Sequence, residues 1–377
     1  MVRNRISSIE LFPLHADLSI PRGPSIHTYH LRETLFIKIT TDEGITGWGE
    51  TYRMAGVESA IRDVLAGLLV GSEAVPSREL HERMLSATFG NGFAVGGVDV
   101  ALHDAWGKAL GVPVHALYGG ARRSGLPAYA SLPGYYLDRG PEEHWTREVL
   151  DLRERGFNAA KLRIGRYPPD RELPILEEVR GAVGPGMRLM ADANAAHSPG
   201  IALRVANELA ELDFDWLEEP LPQAGYHGYP ELRAKFRLPL AGGEGLATRW
   251  AAAEAVKRGC FDIIQPDVSI CGGIRECLFI GELAQLSAVR CIPHCWAGAL
   301  TLAATLHVCS LLQEPSRMPG VEAPPVEFDT TENPFRDNVV IGDPFRLVDG
   351  CIELPSGPGL GIEIDETAVR RYAAHSG

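Results

Sequence analysis

The sequence predicts an α/β protein, a (β/α)₈-type barrel preceded by a smaller α+β domain, and three observations lead there. Beyond about residue 125, eight short apolar runs each end in or near a polar or charged residue: "LPAYAS", "AAKLRIG", "RLMADAN", "FDWLEEP", "LPLAGGEG", "DIIQPD", "VRCIPHC" and "PPVEFD". Helical segments separate them; in "ALRVANELAELDF", Ala202, Val205, Leu209 and Leu212 form one apolar stripe. Strands joined by crossover helices in this number fit a closed barrel better than an open sheet. Third, no GxGxxG follows an early strand, which weakens a dinucleotide-binding reading, and the glycines of "PSGPGLGIEID" lack a following helix and read as turns.

The elements before the barrel have a different texture. "RISSIELFPLHADL" and "TLFIKITTDEGITGWGET" read as strands, the second a hairpin turning at Asp42-Glu43-Gly44. Helical periodicity follows in "VESAIRDVLAGLLV", "SRELHERMLSA" and "GGVDVALHDAWGKALG". "YGGARRSGLP" is rich in turn residues and reads as a linker. The expected boundaries are 1–125 for the first domain, 126–330 for the barrel, and 331–377 for a tail that forms no further βα unit and packs back on the first domain.

A chain of 377 residues accommodates two domains, and its formal charge of −13 argues against nucleic acid, which needs a basic face. No secretory leader and no run of roughly 18 apolar residues is visible, so neither export nor a membrane partner is expected. The seven cysteines all lie between Cys260 and Cys351 without CxxC pairing. Cys291, His294 and Cys295 fall short of a closed zinc site, and reduced thiols in a cytoplasmic protein are the expectation.

The chemistry sits at the ends of the runs. Lys161, Asp192, Glu218, Glu244, Asp267, His294 and Glu327 recur at intervals of 23–33 residues, about one βα unit. Each alone could be a helix cap; the series is what matters, because barrel strand ends converge on one site. Asp192, Glu218 and Glu244 end three successive strands. Carboxylates about 4 Å apart repel by roughly 4 kcal/mol per pair at an effective dielectric near 20, so a cation must offset them. Three hard oxygen donors suit Mg²⁺ rather than zinc. Asp267 and His294 end the next two strands, where a carboxylate on one imidazole nitrogen leaves the other free for proton transfer. Lys161 and Arg163, two apart on one strand, point the same way. Together these residues are arranged to bind a small anionic substrate through its carboxylate, remove its α-proton, and face the resulting enediolate with Mg²⁺ and Lys161.

At "KLRIG", "ADAN", "WLEEP", "GGEG", "QPD", "PHCW" and "VEFD" the chain resembles the enolase superfamily, and within it the mandelate racemase subgroup, over nearly its whole length. That resemblance implies a (β/α)₇β-type modified TIM barrel under an N-terminal α+β capping domain completed by the C-terminal segment. It implies Asp192, Glu218 and Glu244 as Mg²⁺ ligands, Asp267 and His294 as the catalytic dyad, and Glu327 as a carboxylic acid bonding the substrate carboxylate. Asn194 matches a polar site residue, and homo-oligomerisation is usual for the subgroup. The tail pieces "EFDTTENPFRD" and "PSGPGLGIEID" are similar to acid-sugar dehydratases and galactarolactone cycloisomerase.

Arg163 departs from the subgroup's Lys-x-Lys pattern. Arginine ionises above about 12, so neutralising it at pH 7 costs about 7 kcal/mol or more, and a fixed electrostatic role follows. His294 is then the base, and two-base racemisation or epimerisation of a 2-hydroxy acid becomes the weaker reading. Loss of a β-hydroxyl (dehydration) and loss of a ring oxygen (lactone cycloisomerisation) share the same first step, and the sequence leaves both open. Substrate selection is expected from "PRGPSIHTYH", with Arg22, His27 and Tyr29, and Trp296 either lines the pocket or packs beneath the next loop. Two rival classes are a non-catalytic acid-binding member and an unrelated metal-dependent or Schiff-base barrel using Lys161.

Overall fold

The computed structural model describes residues 4–132, 134–315 and 323–374. β1 (Ile6–Gly23), β2 (Tyr29–Thr41) and β3 (Thr46–Thr51) form an antiparallel meander that turns where Asp42-Glu43-Gly44 was expected to turn it. Its inner face packs Leu35, Ile37 and Ile39 against helices Arg78–Ala87 and Gly92–Leu110. The second helix begins four residues before the periodic pattern because Asn91 caps it, its Oδ1 accepting from Ala94 N at 3.1 Å. Sheet and helix touch closely: a Cβ at Gly49 would lie 2.0 Å from Gly97 O, so only glycine fits. The segment expected as one helix over 57–70 contains a π-helical stretch, Ala60–Leu65, which periodicity alone did not reveal.

The barrel opens with β4 (Gly125–Ser131), whose loop contributes β5 (Tyr135–Tyr136) to the cap sheet beside Arg22 and Gly23. Then come β6 (Ala159–Arg163), β7 (Arg188–Asp192), β8 (Phe214–Glu218) and β9 (Leu240–Gly242). β10 (Ile263–Ile264), β11 (Arg290–Cys291) and β12 (Val326–Asp329) complete the set. Neighbours pair in parallel from β4 to β11, and β12 pairs with β4. At the β11–β12 seam a side chain makes the link, Glu327 Oε2 accepting from Cys295 N at 3.1 Å.

A helix follows each of the first seven barrel strands, from Trp145–Glu154 to Ala299–Leu311, and none of that kind follows the eighth. This is the (β/α)₇β arrangement. The tail makes two contacts where one was expected. Its helix Glu366–Ala374 lies on β1, with Lys38 Nζ 2.7 Å from Glu366 and the Tyr372 ring 5.5 Å from Phe335. Its hairpin, β13 (Leu347–Val348) and β14 (Cys351–Glu353), pairs antiparallel with the start of β4, an edge that β12 leaves uncovered. No helix among the described residues is long and apolar enough to cross a membrane, and all seven cysteines are unpaired thiols.

Candidate active site

Lys161, Arg163, Asp192, Glu218 and Glu327 stand at or near the C-terminal ends of their strands, with Asp192 and Glu218 in direct register. Glu244, Asp267 and His294 lie two or three residues past β9, β10 and β11, on the loops. For Glu244 the detour is made by glycine. Gly243 has φ +105°, and a Cβ there would sit 3.0 Å from Leu246, so the backbone turns the glutamate to the cavity where other residues would be strained.

The dyad is formed. His294 Nδ1 donates to Asp267 Oδ2 at 2.8 Å, leaving Nε2 3.5 Å from Glu244 Oε2. Asp267 is held from two other directions, by Ser269 N on Oδ1 at 2.7 Å and by the Tyr52 hydroxyl on Oδ2 at 3.0 Å. Tyr52 comes from the cap, immediately after β3, and no local pattern marked it. Burial disfavours the imidazolium, but Glu244, Glu327 and Asp267 outweigh it and hold the His294 pKa up at about 10.

Lys161 is fully buried among carboxylates. It contacts Glu218 Oε1 directly, Glu327 Oε1 at 2.9 Å and Asp192 Oδ2 at 3.7 Å. Burial works against its charge, yet these three acids raise its pKa. Glu218 also accepts from Trp216 Nε1 at 3.1 Å and Gln265 Nε2 at 2.7 Å, two donors that sequence reasoning missed. Burial pushes the Glu218 carboxyl to about 7 against the pull of Lys161, with Asp192, Glu327 and Glu244 adding to the rise. Glu327 goes the other way. Burial raises it, but Lys161 and His294 bring it down to about 2.

Arg163 Nη1 donates to Asp192 Oδ2 at 3.2 Å and Asn194 Oδ1 at 2.9 Å. Burial lowers its pKa, but Asp192 and other acids raise it on balance, as a fixed cation requires. Asn194 in turn donates from its backbone and side chain to Asp192, at 2.8 and 3.0 Å, from a left-handed φ of 42° that asparagine tolerates.

Among the described residues no three of His, Cys, Asp and Glu are gathered in metal-ligating geometry. Asp192, Glu218 and Glu244 are brought to one end of adjacent strands, with Lys161 lying among them. The charges nevertheless suit a bound cation. Five carboxylates (Asp192, Glu218, Glu244, Asp267, Glu327) face three cationic groups (Lys161, Arg163, His294); burial raises both Glu218 and Glu244, with Asp192 adding to each rise. An all-oxygen donor set with surplus buried negative charge fits a hard divalent ion.

Above these groups lies a cavity of about 290 Å³ between barrel and cap. Arg22, Tyr29 and Trp296 line it, together with Arg163, Asn194, Glu244 and His294. His27 does not line it; it is exposed, its ring 6.4 Å from that of Tyr29. The 24–28 loop is no free connector: Arg166, from the barrel, donates to the carbonyls of Pro24 at 2.6 Å and His27, and Ser25 Oγ donates to Ala193 O at 2.7 Å. Trp296 lines the pocket with Arg32 stacked 4.4 Å from its ring centroid and Tyr29 5.5 Å away.

A capped (β/α)₇β barrel with acid-base and carboxylate groups at its strand ends defines an enolase-type enzyme. Residues 8–119 match the mandelate racemase/muconate lactonizing enzyme N-terminal domain and residues 144–368 the enolase C-terminal domain-like family, and the chain belongs to this family. It is 33% identical to D-galactarolactone cycloisomerase of Agrobacterium fabrum, over 98% of each chain. It is 34% identical to D-galactonate dehydratase of Xanthomonas axonopodis pv. citri, over 91% of this chain and 92% of that one. The crystal structure of 3,6-anhydro-D-galactonate cycloisomerase from Zobellia galactanivorans superposes with a TM-score of 0.87 at 31% identity, covering 98% of this chain and 99% of that one.

Proposed function

We propose that the protein is a Mg²⁺-dependent acid-sugar dehydratase, with cycloisomerisation of an acid-sugar lactone as the alternative outcome of the same first step. The observation that supports it is the buried Asp267–His294 pair, with Nε2 directed to the same acidic cluster that holds Lys161. Mg²⁺, held by Asp192, Glu218 and Glu244, would polarise the substrate carboxylate and neutralise the surplus acid charge beside His294.

The remaining steps belong to the protein's own side chains. His294 Nε2 takes the α-proton, while Asp267 fixes the ring and its tautomer. Lys161 and Arg163 stabilise the negative charge that develops on the carboxylate, from positions already fixed by ion pairs. His294 then returns its proton to the departing β-hydroxyl, which leaves as water, and the enol tautomerises to a 2-keto-3-deoxy acid. Where the leaving group is a ring oxygen the same proton opens the ring. Arginine at 163 gives that position no proton carrier near neutral pH, which supports elimination over two-base racemisation or epimerisation. The three-part division at 125 and 330, a cytoplasmic location and a homo-oligomeric state complete the proposal; unpaired cysteines support a reducing compartment.

Proton NMR in D₂O with Mg²⁺ and a panel of sugar acids and lactones tests this. The wild type is expected to wash out an α-proton and produce 3-deoxy methylene signals, from a sugar acid by loss of water or from a lactone by ring opening, while His294→Asn does neither and keeps its fold. Full turnover by the variant would remove His294 from its role.

A further inference from the structure

The cavity has two poles with different chemistry. The inner one holds the dyad, Lys161, Arg163 and the carboxylates. The outer one is built by the cap and the segment after β12, and it holds three more arginines, which a glance at the lining would read as a second anion site. Each of them is already matched. Arg22 Nη2 lies 3.0 Å from Glu332 Oε2, Arg32 Nη2 2.7 Å from Asp329 Oδ2, and Arg53 Nη1 2.6 Å from Glu33 Oε1.

Two of these pairs are braced by further partners. Glu332 also accepts from Ser19 Oγ at 2.6 Å and Ser19 N at 3.2 Å, which fixes its carboxylate against Arg22. Arg32 and Asp329 are both buried, and Arg32 donates further to Thr331 Oγ1 at 2.8 Å while stacking on Trp296. Between the pairs the lining is apolar, from Leu18, Leu31, Met54 and Ile270. Arg163, the remaining guanidinium on the cavity, is committed to Asp192 and Asn194 at the inner pole.

We propose that this outer pole is built for an uncharged polyol or ring, so that the substrate carries a single ionised carboxylate: an aldonic acid or the monolactone of an aldaric acid, and not the open-chain aldarate dianion. The inference rests on the acid-binding reading above and sharpens it. A second carboxylate would enter a space where every cation already has its counter-charge, losing water without gaining a free partner, next to Glu33 and Glu332. Hydroxyl groups bond such neutral pairs from either side, and a ring's C–H face packs on Trp296 and Tyr29. The volume of about 290 Å³ is at the small end for ligand pockets, in keeping with one sugar acid.

The test compares three forms of one carbon skeleton, the hexonate, the hexarate monolactone and the open-chain hexarate, across the hexose stereoisomers, by α-proton exchange and turnover with Mg²⁺. The expected result is a kcat/KM for the hexonate or monolactone at least about a hundredfold above that of the open-chain hexarate, the scale on which a site rejects a poorly matched polar group. Glu332→Gln and Glu33→Gln, each releasing one arginine, are expected to narrow that ratio by about tenfold or more, one such step corresponding to about 1.4 kcal/mol. Two variants on different elements guard against one failing to fold. Equal or better turnover of the open-chain hexarate by the wild type overturns the inference while leaving the acid-sugar reading intact, as does a ratio that neither variant moves. Silence with all three forms overturns the acid-sugar reading itself, and the inference with it.

Discussion

Lowering the pH from 7 to 4 should destabilise the protein through a histidine remote from the active site. His307 is fully buried in helix Ala299–Leu311; its Nε2 donates to Leu360 O at 3.1 Å, and its Nδ1 has no hydrogen-bond partner among the described residues. The folded state therefore holds the neutral ring, and adding a proton would bury a charge with its new N–H unpaired. Burial lowers the pKa to about 4, with the Leu360 carbonyl opposing and His115, its ring 5.3 Å away, assisting. In the unfolded chain the value is 6.5, so between about pH 6.5 and 4 the unfolded state binds the extra proton and stability falls as pH falls. A difference of about 2.5 units at ~1.36 kcal/mol each makes the loss about 3 kcal/mol by pH 4, a large share of a typical domain's stability. Urea midpoints for wild type and His307→Gln, measured at steps from pH 7.5 to 4, isolate it, because every other titrating group appears in both curves. The variant is expected to be less stable at pH 7 and to converge on the wild type by about 3 kcal/mol at pH 4. Parallel curves would mean that His307 titrates normally in the folded state and that the inferred burial cost is wrong.

Three further outcomes are expected at the site. Tyr52→Phe deletes one hydrogen bond to the ionised Asp267, worth about 1.5–3 kcal/mol, and should lower kcat about tenfold or more with KM little changed; an unaltered kcat would leave Tyr52 a packing residue. Arg163→Ala should slow turnover about a hundredfold by removing fixed positive charge, while slow α-proton exchange through His294 persists in D₂O; complete loss of exchange would instead make Arg163 a proton carrier. Arg166→Ala unties the 24–28 loop from the barrel, and the expected signature is a KM raised about tenfold, about 1.4 kcal/mol of lost loop order, with kcat largely kept. A fall in kcat alone would show that the loop shapes the reacting centre rather than the entry.

The barrel and the gathering of charged side chains at one end of it were legible because both are written locally. A polar residue at or just past a strand's end faces the mouth wherever the strand lies, so six short motifs sufficed to single out Lys161, Arg163, Asp192, Glu218, Glu244, Asp267 and His294, and a seventh Glu327, without knowing any distance. The same locality explains what was lost. "GGEG" and "QPD" ran on as strand in the sequence, yet Glu244 and Asp267 stand on loops, since glycine at 243 and proline at 266 end the ladder before the functional residue. The anchoring of loop 24–28 was not legible because its partner, Arg166, is about 140 residues away in sequence. His27 and Tyr29 seemed equivalent; only the start of β2 at Tyr29 separates the ring that lines the cavity from the one that does not.

The larger omission concerns the cap, which the sequence presented as a selector of substrates and the structure ties to the Asp267–His294 pair. Two residues at the end of β3 show why. Glu50 is completely buried and accepts from Gly298 N at 2.7 Å and Thr301 N at 3.1 Å, capping the helix that follows the His294–Trp296 segment. Tyr52, two positions on and therefore on the same face, reaches Asp267 and the Trp296 carbonyl, at 3.0 and 3.3 Å. The end of β3 and the residue after it thus reach both Asp267 and the helix beyond His294. An isolated barrel would leave the Glu50 acceptors' partners and one side of Asp267 open to water, so cap and barrel must be docked before His294 has a fixed orientation. Substrate selection and proton transfer then depend on the same interface, and a cap substitution that alters specificity should also be felt in kcat.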